Sequence, residues 1–470
     1  MSRLPCWLLG PALVLLGCPT EPPPADDDTT AADDDDDETP VVLAQAVVSE
    51  VVSAVIKVTW TIEGLTPEST WVEFGTAGEL DQRAVAVAGV DGGHEALVWG
   101  VKPGSEVTIQ AVAEADGQRY LSDLLTATTG YPPAHLPEGE VTQMEPDASL
   151  AGFLITSILT DPSVAVVLDG DGDYVWWHTP AEDGTASLIS RVRISLDGRT
   201  MVYLATTTPT GGGTTQELIR LPFDGATVSA MEVAGAHHDF AERNDGNLAL
   251  IALDGREVED ELVQGDQLVE MTPDGMTTTV WSAWDHFEYD PDDPITVGTG
   301  WTHANALDHD AVEDIYFLSL RNRNTILAID RATGDLLSVI GGADSDYLDP
   351  AGSPDLYDWP HQFQMLDGAV LAFSSGAAPW FRSEALEYSL DEATGTAELV
   401  WSYTADPPLF SVGYGDVSRL EDGRTMITWS AQGRIDIVNE EAIEVWRLNL
   451  ELGGGVGYVT HVANLPGLDH

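Results

Sequence analysis

The amino-acid sequence predicts an all-β protein whose C-terminal two thirds form a β-propeller. Short apolar strands recur between turns rich in Gly, Asp and Pro, which is the usual signature of β-hairpins. The turn-and-strand unit repeats every 45 to 60 residues or so, a spacing that suits four-stranded propeller blades. No long segment shows the apolar periodicity of an amphipathic helix that would compete with this interpretation.

The N-terminus predicts an export signal. Arg3 precedes an apolar run over residues 4–17, which is too short for a membrane span and suits a signal peptide. The run ends in Leu-Leu-Gly-Cys at Cys18, which resembles the bacterial lipobox, whose cysteine becomes the lipidated first residue. An ordinary signal peptide that contains a cysteine is the alternative. We expect a signal peptide over residues 1–18 and a lipoprotein exposed to the periplasm or the cell surface, with the outer membrane favoured.

Cysteine usage and charge exclude several functions. The two cysteines are Cys6 and Cys18, so cleavage and lipidation would leave no free thiol, no disulfide and no thiolate-bound zinc. The 79 acidic residues against 19 basic ones give a formal charge of −60. This balance argues against nucleic acid as a partner and against electrostatic docking on anionic lipid. If the substrate is an anion, a few local cations must bind it.

Two segments precede the propeller. Residues 19–40 contain a proline triplet and two Asp runs, which predict a disordered acidic tether; calcium binding by the Asp runs is the less favoured alternative. Residues 41–132 predict a small β domain with strands near 55–60 and 70–74. Its later strands resemble those of a fibronectin type III sandwich.

Residues 140–470 carry the propeller repeat. An Asp-Gly turn followed by a short apolar strand recurs along this part of the chain, and about 330 residues at the repeat spacing give six blades, with seven as the nearest alternative. The clearest turns lie at residues 197–198, 245–246, 367–368 and 422–423.

One acidic cluster has the spacing of a calcium loop. Asp169, Asp171 and Asp173 alternate with glycine, but the EF-hand template requires a bidentate Glu at the twelfth position, where this chain has Pro180. We therefore expect a blade turn rather than a calcium site.

Three histidines occupy similar positions in the repeat. His238, His303 and His361 each have aromatic neighbours and precede a predicted strand that begins a blade. The innermost strands of a propeller surround its central channel, so these side chains are expected to converge, together with Arg321 on the strand after His303. The alternatives are histidines scattered over surface and core, or a zinc site. Zinc is disfavoured because the guanidinium of Arg321 would repel a dication.

The same residues resemble a known family. His-Asp-Phe at 238–240, Trp-x-His-x-Asn at 301–305, Ser-x-Arg-x-x-x-Thr-Ile at 319–326 and Trp-Pro-His at 359–361 are similar to motifs of the bacterial arylsulfate sulfotransferases. The resemblance implies a six-bladed propeller after a smaller β domain. It also implies transfer of a sulfuryl group from a phenolic sulfate ester to a phenol through a sulfated histidine, without a nucleotide sulfate donor, a cofactor or a metal.

The resemblance assigns roles by position. His361 matches the histidine that becomes sulfated, His303 and Arg321 match the residues that hold the sulfuryl oxygens, and His238 matches a further pocket histidine. Some family members carry a disulfide near the site, which this chain cannot form. The candidates for substrate binding are His237, Asn305, Phe240 and Phe363, with Trp359 and Trp380 as further aromatic side chains. The alternative for each of the four aromatic residues is a place in the core of a blade.

Two other functions stay open at this point. A non-catalytic surface propeller that binds a ligand or a protein would share the fold, since fold does not determine function. A hydrolase, in which water intercepts the sulfated histidine, would share the site. The first would show no turnover, and the second would release sulfate without an acceptor phenol.

Overall fold

The computed structural model describes residues 40–89, 92–145, 148–180, 186–208, 213–291, 300–376, 381–451 and 455–469. The predicted signal peptide, Cys18, most of the predicted tether and Trp380 lie outside these ranges. None of the helices found in them has the length and apolar character needed to cross a membrane.

The described chain is nearly all-β, as the sequence predicts. Among the described residues, helical structure is confined to α1 (Ala283–His286) and to two short 3-10 turns, at Arg321–Arg323 and Ser430–Gln432. The strands are short and end at turns because Gly and Asp recur every few residues. The prediction of an all-β fold is therefore confirmed.

The first nine strands form two sheets. Apolar and polar side chains alternate along several of them, as in Ile56–Glu63, so that one face of each sheet is buried. One sheet has the order β1-β2-β6-β5, and the other contains β4-β3-β7-β8, with β9 also on β7. The strands are β1 (Val41–Val48), β2 (Ile56–Glu63), β3 (Ser69–Thr76), β4 (Gln82–Val85), β5 (Val87–Ala88), β6 (His94–Val98), β7 (Glu106–Ala115), β8 (Gln118–Leu121) and β9 (Leu125–Thr128).

The strands that follow, except the last one, form six further sheets. Their first half comprises β10 (Gly139–Gln143), β11 (Phe153–Leu159), β12 (Val164–Asp169), β13 (Tyr174–His178), β14 (Ala186–Ile194), β15 (Thr200–Thr208), β16 (Thr215–Pro222), β17 (Ser229–Glu232), β18 (Ala236–Glu242), β19 (Leu248–Val258), β20 (Glu261–Met271), β21 (Thr277–Ser282), β22 (Ala304–Asp310) and β23 (Ile315–Leu320). The second half comprises β24 (Thr325–Asp330), β25 (Leu336–Ile340), β26 (Pro360–Leu366), β27 (Ala369–Ser374), β28 (Glu384–Asp391), β29 (Thr396–Tyr403), β30 (Asp416–Arg419), β31 (Thr425–Trp429), β32 (Arg434–Val438), β33 (Glu444–Leu450), β34 (Gly455–Val456), β35 (Thr460–Val462) and β36 (Leu468–Asp469).

Four of these sheets are simple antiparallel meanders of four consecutive strands: β14 to β17, β18 to β21, β22 to β25 and β26 to β29. The other two combine distant parts of the chain. One has the order β13-β12-β11-β34, with β35 also on β11, and the other has the order β10-β33-β32-β31-β30. Each Asp-Gly turn singled out above joins the first and second strands of a different sheet. Second strands such as β27 are buried on both faces because neighbouring structure covers both sides.

The first strands of successive sheets lie side by side. β14 contacts β18, β18 contacts β22, β22 contacts β26, and β26 contacts β30. The C-terminal segment runs alongside them, because the amide of Gly457 donates to the carbonyl of Ser157 (2.9 Å) and that of Val459 to the carboxylate of Asp416 (2.7 Å). This arrangement brings residues that are far apart in sequence to one place.

The C-terminal end also returns to the first two sheets. β36 pairs with β4, and the indole of Trp99 donates to the carbonyl of Pro466 (3.2 Å). Lys102 places its ammonium 2.7 Å from both Asp171 and Asp173, in the turn that joins β12 to β13. A lysine side chain therefore contacts the carboxylates whose spacing resembles a calcium loop. The domain boundaries at 41–132 and 140–470 stay a prediction.

Candidate active site

The predicted site residues lie where three first strands share a local distortion. In each of these strands the pairing register shifts near the start of the strand. The shift lies between Ala236 and Phe240 in β18, between Ala304 and Ala306 in β22, and between Pro360 and Phe363 in β26. Left-handed backbone accompanies each shift: φ is 59° at His238, 51° at His303 and 55° at Trp359. Such a conformation costs a non-glycine residue about 1 kcal/mol or more. It redirects the side chain away from the regular alternation of a strand.

The distortions bring the four predicted catalytic residues together. The imidazole of His238 lies 5.2 Å from that of His303 and 5.8 Å from the ring of Tyr414, measured between ring centroids. Burial lowers the pKa of His238 well below its ordinary value, and the neighbouring His303, His361 and Arg321 lower it further. The pocket expected at the converging strand ends is therefore present as a cluster of side chains.

His361 is buried and has a defined tautomer. Its Nδ1 lies 3.1 Å from the carbonyl oxygen of Trp359 and 2.8 Å from the hydroxyl of Ser375. Because a carbonyl can only accept, Nδ1 carries the proton and Nε2 keeps its lone pair. Burial lowers the pKa of His361 to about 3, with Arg321 and His303 acting in the same direction. The imidazole is thus neutral at physiological pH, as a nitrogen nucleophile must be.

Arg321 is the cation of this cluster. It begins the 3-10 turn after β23, and its guanidinium carbon lies 4.2 Å from the ring centroid of Trp359. Burial lowers its pKa, yet a guanidinium stays protonated in proteins. Within the described part of the chain no carboxylate forms an ion pair with it, and its Nε has no hydrogen-bond partner. The cluster therefore carries a positive charge that can bind an anion.

His237 connects the cluster to a buried carboxylate. Its Nδ1 lies 2.7 Å from Nδ1 of His238, and its Nε2 lies 3.0 Å from Asp266. Asp266 also accepts from the hydroxyl of Thr302 and from the amide of Ala304 (2.8 Å). Although burial raises the pKa of Asp266, these hydrogen bonds and the imidazole of His237 leave it below its ordinary value. The carboxylate is therefore ionised and held in place.

A second buried acid supports the strand that carries His238. Asp239 is fully buried and binds Arg191 of β14 through two hydrogen bonds of 2.8 and 3.0 Å. It also accepts from the amide of Leu307 on β22 (3.1 Å). One side chain thus joins three neighbouring first strands directly beneath the cluster.

The residues predicted to bind substrate have mixed environments. Asn305 is fully buried, and its amide donates to the carbonyl of Pro360 (3.2 Å). Phe240 and Phe363 are buried in the cores of their sheets, at 0% and 3% exposure. His237 is partly exposed and contacts the pocket through His238. Contact of these residues with a substrate stays a prediction.

Several residues of the site have no sequence motif. Tyr414 precedes β30 with a φ of 54°, and its ring packs against His238 and, at 5.4 Å between centroids, against Tyr458. Burial raises the pKa of Tyr414 to about 12, so its hydroxyl stays protonated. Asp266 lies in the middle of β20, the third strand of its sheet, and Ser375 directly follows β27, a second strand. The signal that could have found Tyr414 is its position two residues before β30, because the histidines also lie close to the start of a first strand.

Comparison with known families gives an independent result for this part of the chain. Residues 138–351 match the Arylsulfotransferase (ASST) family. The resemblance drawn from the motifs is therefore confirmed over this range. The arylsulfotransferase match contains His237, His238, His303 and Arg321, whereas His361 lies ten residues beyond its end.

Solved structures show only distant similarity. A protein of unknown function from Bacteroides caccae is 13% identical, with 67% of this chain and 100% of that chain covered and a TM-score of 0.43. An auxiliary nutrient binding protein from Bacteroides ovatus is 11% identical, with 86% and 87% covered and a TM-score of 0.38. No curated protein matches the chain. Similarity at this level indicates neither substrate nor activity.

Proposed function

We propose that the six sheets after residue 138 are the blades of a β-propeller, preceded by a fibronectin type III-like sandwich. The sheets have four or five strands, and their first strands contact one another in sequence order. β10 pairs with β33, so that the beginning and the end of this region share one sheet. These contacts support a closed ring around the first strands, with the histidine cluster at one end of the axis.

The chain acts, in this proposal, as an arylsulfate sulfotransferase. The observation that carries the proposal is the cluster of His238, His303 and neutral His361 around Arg321, within and directly after the arylsulfotransferase match. An aryl sulfate is an anion with an aromatic ring. The guanidinium and the imidazoles suit its sulfuryl oxygens, and Trp359, stacked on Arg321, suits its ring.

His361 is the proposed nucleophile. The lone pair on its Nε2 attacks the sulfur of the donor ester, the bond from sulfur to the phenolic oxygen breaks, and the phenol leaves. The departing phenolate takes its proton from a pocket imidazole other than His361. The oxygen of a second phenol, which returns a proton to that imidazole, then attacks the sulfur, and the bond from sulfur to Nε2 breaks, which regenerates neutral His361. Arg321 and His303 hold the three sulfuryl oxygens, on which negative charge accumulates in a loose transition state.

The test uses the full-length chain in detergent with a nitrophenyl sulfate donor and a phenol acceptor. We expect release of nitrophenol, transfer to the acceptor and a sulfated His361 that peptide mass spectrometry detects when the acceptor is omitted. His361→Ala should abolish all three. His309→Ala is the matched control, because His309 binds Asp314 (3.0 Å) outside the cluster. Transfer that survives His361→Ala overturns the mechanism.

The other outcomes identify the alternatives. Release of inorganic sulfate at the same rate with and without a phenol indicates a hydrolase. Absence of both turnover and sulfation indicates a non-catalytic propeller that binds a ligand or protein.

Export and anchoring through Cys18 form a separate part of the proposal. The supporting observation is the apolar run that ends in Leu-Leu-Gly-Cys and is followed by an acidic segment. We expect the chain to partition into detergent and to carry a lipid-modified N-terminal cysteine. Cys18→Ala should remove both properties without altering specific activity. A chain that stays in the aqueous phase with an unmodified N-terminus contradicts this assignment.

A further inference from the structure

His237 and His238 are adjacent in sequence, yet their rings face each other. In a regular strand, consecutive side chains point to opposite faces of the sheet. The left-handed φ of 59° at His238 breaks this alternation, and the two rings meet edge to face with centroids 5.0 Å apart. The distortion thus creates a contact between two imidazoles that ordinary strand geometry would separate.

The contact completes a chain of hydrogen bonds from a buried carboxylate to the pocket. It runs from Asp266 to Nε2 of His237 (3.0 Å), and from Nδ1 of His237 to Nδ1 of His238 (2.7 Å). The geometry points to a proton relay, Asp266–His237–His238, that protonates the departing phenolate and later deprotonates the acceptor phenol. This inference rests on the proposed function and identifies the acid and base that the reaction needs.

The relay has two states that differ by one proton, which is the proton given to the phenolate, and in the position of a second proton that the two histidines share. The carboxylate of Asp266 accepts, so Nε2 of His237 is protonated in both. In the acid state Nδ1 of His237 also carries a proton, which makes it an imidazolium paired with Asp266, and His238 carries its proton on Nε2. In the base state that shared proton lies on Nδ1 of His238, and Nε2 of His238 has a lone pair.

Both half-reactions balance with this relay. In the first, Nε2 of His238 gives its proton to the phenolate as the bond from sulfur to oxygen breaks, and the shared proton moves from His237 to His238. In the second, the acceptor phenol gives its proton to Nε2 of His238 as its oxygen attacks the sulfohistidine, and the shared proton returns to His237. The enzyme ends as it began.

The surroundings place the positive charge of the acid state on His237. His238 is buried beside the ring of Tyr414 and close to His303, His361 and Arg321, and both the burial and the nearby positive charge disfavour a second positive charge on it. His237 faces Asp266 instead, whose oxygens are fixed by their other hydrogen bonds. A charge on His237 is thus compensated at 3.0 Å.

The test is a series of aryl sulfate donors whose phenols differ in pKa. Nitrophenolate leaves without a proton, whereas unsubstituted phenolate needs one. We expect His237→Gln to lower kcat/KM by about 10²–10⁴-fold for phenyl sulfate and by less than about tenfold for nitrophenyl sulfate. His309→Gln is the control, since it removes another Asp-bound histidine. Thermal unfolding of each variant checks that the fold is intact.

The outcomes separate the relay from the proposed function. An equal loss of kcat/KM for all donors, or no loss, while His361 still becomes sulfated, overturns the relay and leaves the sulfotransferase assignment standing. A wild-type chain that neither transfers nor becomes sulfated overturns both. Asp266→Asn is the second variant: it should reproduce the leaving-group dependence of His237→Gln. A uniform loss at an unchanged melting temperature contradicts the relay.

Discussion

At the scale of single residues, backbone carbonyl groups and burial define the chemistry of the imidazoles. The carbonyl of Trp359 fixes the proton of His361 on Nδ1, and burial keeps the ring neutral. Sequence motifs identify such a histidine but not its tautomer. The tautomer depends on which atom of the folded backbone lies beside Nδ1.

The first prediction concerns the pH dependence of sulfation. The pKa of His361 is lowered to about 3, so its neutral form persists far below the ordinary histidine range of about 6.5. Single-turnover sulfation by a nitrophenyl donor should therefore show no loss of rate from pH 8 down to pH 5. Stopped-flow measurement of nitrophenol release checks this expectation. A decline with a midpoint near 6.5 would contradict it.

The second prediction concerns Arg321. Arg321→Gln removes the cation that stabilises the sulfuryl oxygens and should lower kcat/KM by about 10²–10³-fold. Arg321→Lys should recover part of the loss, because it keeps the charge but not the planar fork. Arg323→Gln is the matched control, since Arg323 binds Asp344 at the surface. Steady-state kinetics with a single aryl sulfate are sufficient for this comparison. If Arg321→Gln and Arg323→Gln lower kcat/KM equally, Arg321 does not stabilise the sulfuryl oxygens as proposed.

At the scale of elements, the starts of the first strands are shaped by buried charges. Asp239 lies next to the distorted residue His238 and binds Arg191 and the amide of Leu307. A short apolar strand could not hold this distortion by itself, because left-handed backbone is unfavourable for a residue with a Cβ. The ion pair anchors the distorted strand to both of its neighbours.

The third prediction tests this anchor. Asp239→Asn leaves the guanidinium of Arg191 buried without its bidentate partner, which should lower the free energy of unfolding by about 3–5 kcal/mol. Asp245→Asn is the matched control, because Asp245 is exposed in the turn after the same strand and its partner Arg243, although buried, keeps Asp314 as a second partner. Urea unfolding of both variants gives the comparison. A difference below about 1 kcal/mol would show that the ion pair does not anchor the strand.

At the scale of the whole molecule, segments from the beginning and the end of the six-sheet region complete its sheets. β10 supplies the last strand of the sheet that contains β30 to β33, and β34 and β35 extend the sheet of β11. Asp416 lies at this junction, where it accepts from the amide of Val459 and lies 3.9 Å from Arg191. The contact between the C-terminal segment and β30 therefore buries a carboxylate.

The fourth prediction follows from that burial. Burial raises the pKa of Asp416 to about 6, so the folded chain binds its proton more tightly than the unfolded chain does. The resulting stabilisation is complete below the ordinary carboxyl pKa and is lost as pH rises through 6, by about 3 kcal/mol. Urea unfolding between pH 4 and pH 7 should thus show Asp416→Asn gaining stability relative to wild type as pH rises.

Asp422 is the control for this pH dependence. Hydrogen bonds from Arg424 outweigh the slight burial of Asp422 and lower its pKa. The ionised form of Asp422 therefore stabilises the fold, whereas for Asp416 the protonated form does. The stabilisation by Asp422 is already complete above the ordinary carboxyl pKa, so Asp422→Asn should keep a nearly constant difference from wild type between pH 4 and pH 7. The same trend in both variants would exclude burial of Asp416 as the cause.

The sequence by itself determined the all-β fold and the turn-and-strand repeat, and it predicted the residues that the fold gathers into the histidine cluster. These properties depend on local chemistry: Asp-Gly turns end strands, and His-Asp-Phe and Trp-Pro-His stand out as motifs. The match to the arylsulfotransferase family over residues 138–351 bears out that resemblance.

Only the tertiary structure decided how the site is assembled. Asp266 lies 29 residues from its partner His237, and Arg191 lies 48 residues from Asp239, so no local pattern could pair them. Tyr414 reaches His238 because the starts of two first strands lie near each other, and Phe240, which has an equally suggestive motif, lies in a core instead. Residue types give the possible chemistry of a site, while tautomers, ion pairs and pKa values depend on which groups the fold brings within hydrogen-bond distance.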